Sequence, residues 1–434
     1  MAPSIVAYGL GMRGTWSWVT GQRPDTPRKG MLRLYPNGRV ALTAALSMLK
    51  REKPKTQRPT WYTKNFPSQA GALTAVYTDE AMSAAYSAGV NAAGTLLYVK
   101  VAAAVANEFR VGHVAELTDS DTPTANTGGE VIAVSVNGAS SRITLRLIEA
   151  TTTTTCNPAA ADRIRVIGNA NEEASVIPDA VNYNPISMGN YTQIFRTPYE
   201  VSGSQLEVEL ITGDALTEEK REKFELHGVE LEKAFWWGRK YETTANGKPK
   251  LFMQGIFSMI KEHASGNIFD YANSTDAAYD HKAWSVAGKD WLNEVFESIF
   301  MYGSRTKFSY CGAGVLTGLN VLAELYGNVN LQVRAGAYGI QVMEWITPHG
   351  VLLLRDHPLY STEPGYSHTM CLLEHENLKE LPLRDTRAKK STEDSEGGFT
   401  AVDGRKEEWL TETTLEYHHP DTFAVLHNVG VDNA

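Results

Sequence analysis

The stretch Thr217 to Lys240, TEEKREKFELHGVELEKAFWWGRK, constrains the fold of this chain more than any other. It has no proline and is rich in Glu, Lys and Leu, which keep most of their side-chain freedom in a helix. Thr217 is placed to cap it. Glu218 and Glu219 then fall in the first turn, where the helix dipole favours negative charge, and Arg239 and Lys240 in the last. Phe224, Gly228, Leu231, Phe235 and Gly238 recur at spacings of four, three, four and three, so they share one face. At 1.5 Å per residue the helix is about 36 Å long. A mid-helix glycine costs about 1 kcal/mol against alanine, so Gly228 predicts a close approach.

On either side the pattern changes from element to element. Phe109–Leu117, Glu130–Val136, Arg142–Glu149 and Arg163–Ile167 are short β-like runs separated by turn residues, Asn137-Gly138 among them. They predict a small β module at about 100–170. Thr151–Thr155 reads as a strand edge or loop. After the long helix, Leu251–Lys261 opens an α/β region. Asp290–Tyr302 is a helix with Trp291, Val295, Phe296 and Ile299 on one side, stopped by Gly303. Lys307–Cys311 is a strand and Val315–Tyr326 a helix. Tyr338–Ile346 and Val351–Arg355 form a hairpin, Thr369–Glu374 is a strand, and Lys389–Gly398 is a polar loop. Trp409–Tyr417 is the last clear strand before Pro420.

These segments carry a family resemblance. Asn190-Tyr-Thr-Gln-Ile-Phe195 and Glu200-Val-Ser-Gly203 lead into the long helix, Glu232-Lys-Ala-Phe-Trp-Trp-Gly238 ends it, and Gly247-Lys-Pro-Lys-Leu-Phe-Met-Gln-Gly-Ile256 follows. Downstream lie Tyr338–Leu354, Leu381-Pro-Leu383 and Trp409–Tyr417. In order and spacing, roughly Tyr191 to Val429 resembles the major capsid proteins of tailed bacteriophages, the Hong Kong 97 fold, in the branch typified by phage SU-ten. The resemblance implies an α+β fold. Its parts would be an arm at 1–60, an extended-loop region at 61–200 carrying the inserted module, and a peripheral domain with the spine helix at 201–250. An axial domain at 251–375 and C-terminal strands at 376–434, returning to the peripheral domain, complete it. It implies a shell of hexamers and pentamers around double-stranded DNA, with scaffold, decoration and portal proteins as partners and the virion as the location. An encapsulin-like compartment shell is the alternative of the same class; a soluble carbohydrate-binding protein or enzyme is the alternative of another.

Charge supports an interacting arm. The net charge is -9, but residues 1–60 hold 11 Lys+Arg against 2 Asp+Glu, a net of +9, leaving -18 on the rest. A basic arm on an acidic body meets an acidic partner, either packaged DNA or a neighbouring subunit. Trp16, Trp18, Leu34, Leu46 and Leu49 favour docking on neighbours, and Leu42, Ala45, Leu46 and Leu49 form a helical stripe. Arg33–Asn37 is strand-like, and Lys50–Arg58 is a basic linker.

No run of about 18 apolar residues is present, so no membrane-spanning helix is expected. MAPSIVAYGLGMRG lacks a basic start and a long apolar core, so neither a secretory signal nor removal of a leader ahead of Met1 is expected. Cys156, Cys311 and Cys371 are few, distant and odd in number, which fits a reducing compartment and neither a disulfide framework nor a zinc site.

Two glycine patterns invite a nucleotide-binding reading. Gly9-Leu-Gly11-Met-Arg-Gly14 is followed by Gly21, Pro24 and Pro27 instead of the helix whose N-terminus would hold a pyrophosphate. Gly312-Ala-Gly314-Val-Leu-Thr-Gly318 lies between a strand and a helix but lacks the acid about 20 residues on that would hold a ribose. Close helix–strand packing explains it better. His418 and His419 are adjacent and point to opposite faces of a strand; His375-Glu376 completes no zinc motif. No GxSxG occurs, the helical glutamates read as a solvated face, and Trp236 and Trp237 read as packing. No catalytic, cofactor-binding or metal-binding residue is assigned, and no Lys, Asn and Glu trio matches the crosslinking chemistry of some relatives.

Overall fold

The computed structural model describes residues 42, 43, 46, 51–64, 67–122, 126–154, 156–208, 214–326, 331–337, 340–390 and 404–433. The readings at 1–41, which include Trp16, Trp18, Leu34 and the first glycine pattern, lie outside the described residues, as do Ala45, Leu49, Lys50 and most of the 389–398 loop. The chain divides into two compact units, Tyr62–Ser187 and a body built from the chain on either side of it.

The Tyr62–Ser187 unit is a closed barrel of six strands. In barrel order they are Ala70–Tyr77, Leu96–Val101, Arg142–Leu147, Asn126–Ser135, His113–Thr118 and Arg163–Asn169. The expected module at about 100–170 had four strands. Ala70–Tyr77 and Leu96–Val101 join them because only closure removes the unpaired edges. Alternation on each strand fills the interior: Leu97, Val99, Val101, Ala115, Leu117, Val131, Ile143, Leu145 and Ile164 are all buried. Outward neighbours pair across strands, Arg146 with Glu130 and Arg165 with Glu116, each at 2.6 Å. Thr151 lies in a loop; its hydroxyl accepts from Tyr86 Oη and the Asn91 N–H and donates to the Gly89 carbonyl.

The body contains a seven-stranded mixed sheet in the order Ile268–Asp270, Ala424–His427, Met370–Leu373, Thr306–Cys311, Val351–Asp356, Ile340–Ile346, Leu331–Ala337. Both faces are covered, so its central strands are largely apolar, with Lys307 and Ser309 as buried polar exceptions on Thr306–Cys311. On one face Cys311, Leu352, Leu354, Met370, Leu372, Ala424 and Leu426 pack with helices Trp284–Ile299 and Ala313–Tyr326. On the other, Tyr310, Cys371, Leu373 and Val425 pack with the spine helix and Ile256–His263. The period of two in a strand assigns successive residues to two different cores. Gly404–Tyr417 pairs with Leu378–Lys390 and Gln193–Ser202 in a separate three-stranded sheet, whereas Ala424–His427 crosses back into the seven-stranded one. That strand was not anticipated; four residues give no pattern of their own.

The spine helix runs Ala215–Trp237. Its cap is Asp214, whose carboxylate accepts from the Leu216 and Thr217 N–H groups, in place of the expected Thr217. Gly238 leaves the helical conformation, so Arg239 and Lys240 lie beyond the last turn. The buried stripe also differs: it is His227, Leu231, Glu232, Phe235 and Trp236, while Phe224 is 48% exposed and Gly228 half-buried. A close approach occurs at the exit. A Cβ on Gly238 would stand 2.5 Å from the Ala234 carbonyl oxygen and 2.8 Å from that of Met253. The Gly255 N–H donates to the Gly238 carbonyl at 2.9 Å and starts the next helix.

Candidate assembly interface

The seam between the spine helix and its sheet is polar and buried. Thr197 Oγ1 donates to Glu230 Oε2 at 2.9 Å and lies 2.8 Å from His227 Nδ1. A hydroxyl has one proton, so Nδ1–H must be the donor to Thr197. His227 Nε2 then accepts from Thr411 Oγ1 at 2.7 Å, which in turn accepts from Thr386 Oγ1. Burial lowers the pKa of His227, partly opposed by Glu230, in keeping with this neutral tautomer. Along the same strands Tyr199 donates to Glu407 at 2.5 Å, and Arg384 to Glu412 at 2.6 Å. Glu407 and Glu412 are buried, and each is bonded from a neighbouring strand.

At the other end of the spine helix lies Glu232, wholly buried. It accepts the backbone N–H groups of Leu42 and Thr43 at 2.8 Å each, and the Thr43 hydroxyl. His357 Nε2 lies 2.8 Å away. Leu42 and Leu46 are fully buried in the core around Trp236. The chain continues along the same body: Arg51 pairs with Glu380, Arg58 pairs with Glu242, and Trp61 meets Tyr417 edge-on at 5.1 Å. This corrects the reading of Leu46 as an anchor on a neighbour, and of spine glutamates as uniformly solvated. The charge pattern could not separate self-docking from docking on another copy, because the acidic body is the same surface in both.

Two features stand out as exposed within their own units. In the body, Tyr241–Ala245 and Lys248–Phe252 form a hairpin whose turn, Asn246-Gly247, holds both residues at positive φ. An Asn-Gly two-residue turn is the preferred one for such a hairpin, and its strands are almost wholly exposed. Within the Tyr62–Ser187 unit, residues 171–180 are exposed throughout, with Val176 at 89% and Ile177 at 91%.

The glycines of 312–318 serve packing. Gly312 lies against the Ser367 backbone, Gly314 against the His368 ring and Gly318 against Gly430, whose Cα would be 2.5 Å from an added Cβ. His375 stacks on Phe308 at 4.1 Å. His418 bonds Glu416, and His419 lies past the strand end in the left-handed region, so the two do not flank a strand. Cys156, Cys311 and Cys371 are free thiols; burial pushes Cys311 up to about 12 and Cys371 well above its ordinary value, the opposite of activation. Among the described residues no group of three or more His, Cys, Asp or Glu is placed to hold a metal, and no helix is long and apolar enough to cross a membrane.

Comparison with known proteins bears on this arrangement. The profile of the SU10 major capsid protein family matches residues 39–430. A major capsid protein of Pseudomonas phage PaMx41 is 28% identical over 214 residues, 48% of this chain and 50% of that protein. The chain thus spans about half the length of this curated relative. Among solved structures, Microbacterium phage Oxtober96 aligns at a TM-score of 0.38 and 12% identity, covering 59% of this chain and 80% of that one. The holo-SrpI encapsulin complex from Synechococcus elongatus aligns at 0.37 and 13%, covering 58% and 79%. Similarities at that level carry no weight for function.

Proposed function

The chain belongs to the SU10 major capsid protein family, and from that premise we propose that it is the shell subunit of a tailed phage, with a fold of the Hong Kong 97 type. Copies assemble as hexamers and pentamers into an icosahedral head, a virion component built in the host cytoplasm. The head encloses double-stranded DNA and works with portal, scaffold and decoration proteins. The observation that carries this reading is the family match over residues 39–430. The exposed hairpin at 241–252 and the exposed run at 171–180 support it. A two-stranded hairpin is marginal alone, and the exposed Val176 and Ile177 find their cover in a neighbour. Contacts of this kind are heterologous, and closed rotation turns them into rings. The mechanism is interface geometry and not catalysis.

Light scattering after size exclusion, followed by electron microscopy of the recombinant chain with and without a scaffold partner, tests the reading. Closed particles are expected. A monomer that stays monomeric in both conditions ends it.

A further inference from the structure

Glu232 ties together three parts of the body that are far apart in sequence. Its Oε1 accepts from the Leu42 N–H at 2.8 Å and from Trp236 Nε1 at 3.3 Å, and lies 2.8 Å from His357 Nε2; its Oε2 accepts from the N–H and hydroxyl of Thr43. A buried backbone N–H needs an acceptor, most often a carbonyl or a nearby side chain. Here the acceptor is a carboxylate 190 positions away from Leu42, fully buried and charge-assisted. Apolar packing by Leu42 and Leu46 alone would tolerate a slide along the groove. A carboxylate fork bonded to two successive N–H groups admits one register.

We propose that Glu232 is a positioning residue, a latch that fixes the register of Leu42 and Thr43 on their own subunit and, through it, the uniformity of assembled particles. The latch itself is a property of the single subunit; only its effect on assembly rests on the capsid reading. Glu232→Gln keeps the shape but replaces one acceptor oxygen with an amide donor, which faces either Thr43 or His357. Glu232→Asp keeps the charge at a shorter reach.

Site-resolved hydrogen exchange on the full chain reads the latch directly. In E232Q the Leu42 and Thr43 amides should lose protection by about tenfold relative to the spine amides Leu231–Trp236, with E232D between E232Q and wild type. Unchanged protection at Leu42 and Thr43, or a loss that the spine amides share equally, overturns the proposal. Should E232Q fail to fold, T43V acts from the arm side without touching the buried pair. It should lower protection at the same two amides by about threefold with the spine unchanged, and no change there counts against the latch. In assembled material, wild-type particles should be uniform and E232Q particles mixed in size. Particles of unaltered uniformity remove the effect on assembly. A wild-type chain that forms no particles ends the capsid reading instead, while the exchange result stands by itself.

Discussion

His375 shows what one buried residue does to the whole chain's response to acid. It is 3% exposed, stacked on Phe308, and 3.1 Å from the Tyr310 hydroxyl. Burial pushes its pKa down to about 4 from an ordinary 6.5. The folded imidazole is therefore neutral where the unfolded one already binds a proton. The stabilising term is present above about pH 6.5 and is lost as pH falls from there toward 4, to a total on the order of 3 kcal/mol. Burial lowers His227 and His427 as well, which adds to the same sign. H375Q has nothing to titrate. Its urea midpoint should fall less steeply than that of wild type between pH 6.5 and 4.5, and parallel pH profiles for the two proteins refute the assignment. His375 looked inert in the sequence, because nothing local places Phe308 or Tyr310 against it.

At the scale of the element, the junction of the spine helix with helix Ile256–His263 depends on two glycines. An alanine at Gly238 would meet the Ala234 and Met253 carbonyl oxygens, and one at Gly255 the Gly238 nitrogen at 2.6 Å. These are backbone atoms that cannot swing aside, so the helices must separate or the chain must bend. G238A should cost roughly 1–3 kcal/mol in thermal or urea unfolding, like other overpacked substitutions. A melting point within a degree of wild type shows that the junction yields. Helix existence was legible from composition, but its end was not: Arg239 and Lys240, expected in the last turn, lie beyond Gly238. The buried stripe was legible only in part: Leu231 and Phe235 are inside as expected, but Glu232 and Trp236 are inside too and Phe224 is half outside because the partners, Leu42 and His357 among them, arrive from elsewhere in the chain.

At the scale of the molecule, the barrel is an insertion with its own core. Cutting within it, at Arg110–Val166, would leave Ala70–Tyr77 and Leu96–Val101 paired only with each other, stripped of Arg142–Leu147 and most of Arg163–Asn169. The structural cut is the entire Tyr62–Ser187 unit. The ends that remain lie together, since the Asn190 N–H donates to the Pro59 carbonyl at 3.2 Å, so a short Gly/Ser linker closes the gap. The body without residues 62–187 should stay soluble and unfold cooperatively, with a melting temperature near that of the full chain. An insoluble or non-cooperative product overturns the independence of the body. Particle yield from the same deletion then reports whether the barrel is a shell contact or a satellite.

By itself, the sequence determined what periodicity and turn chemistry can encode. The spine helix, the helices expected at 290–302 and 315–326 and found at 284–299 and 313–326, the hairpin at 340–356 and the order of segments that marks the family all lie within local windows. It also placed Gly312–Gly318 correctly as packing. Only the tertiary structure decided the rest. Closure of the barrel needed strands 70–77 and 96–101, whose pairing with residues 142–147 and 163–165 is non-local. The return of Ala424–His427 to the seven-stranded sheet and the burial of Glu232 under Leu42 are non-local too. A local pattern fixes which face is apolar and where a turn falls. It does not say which distant backbone amide a buried carboxylate will meet, because that depends on the fold of everything between them.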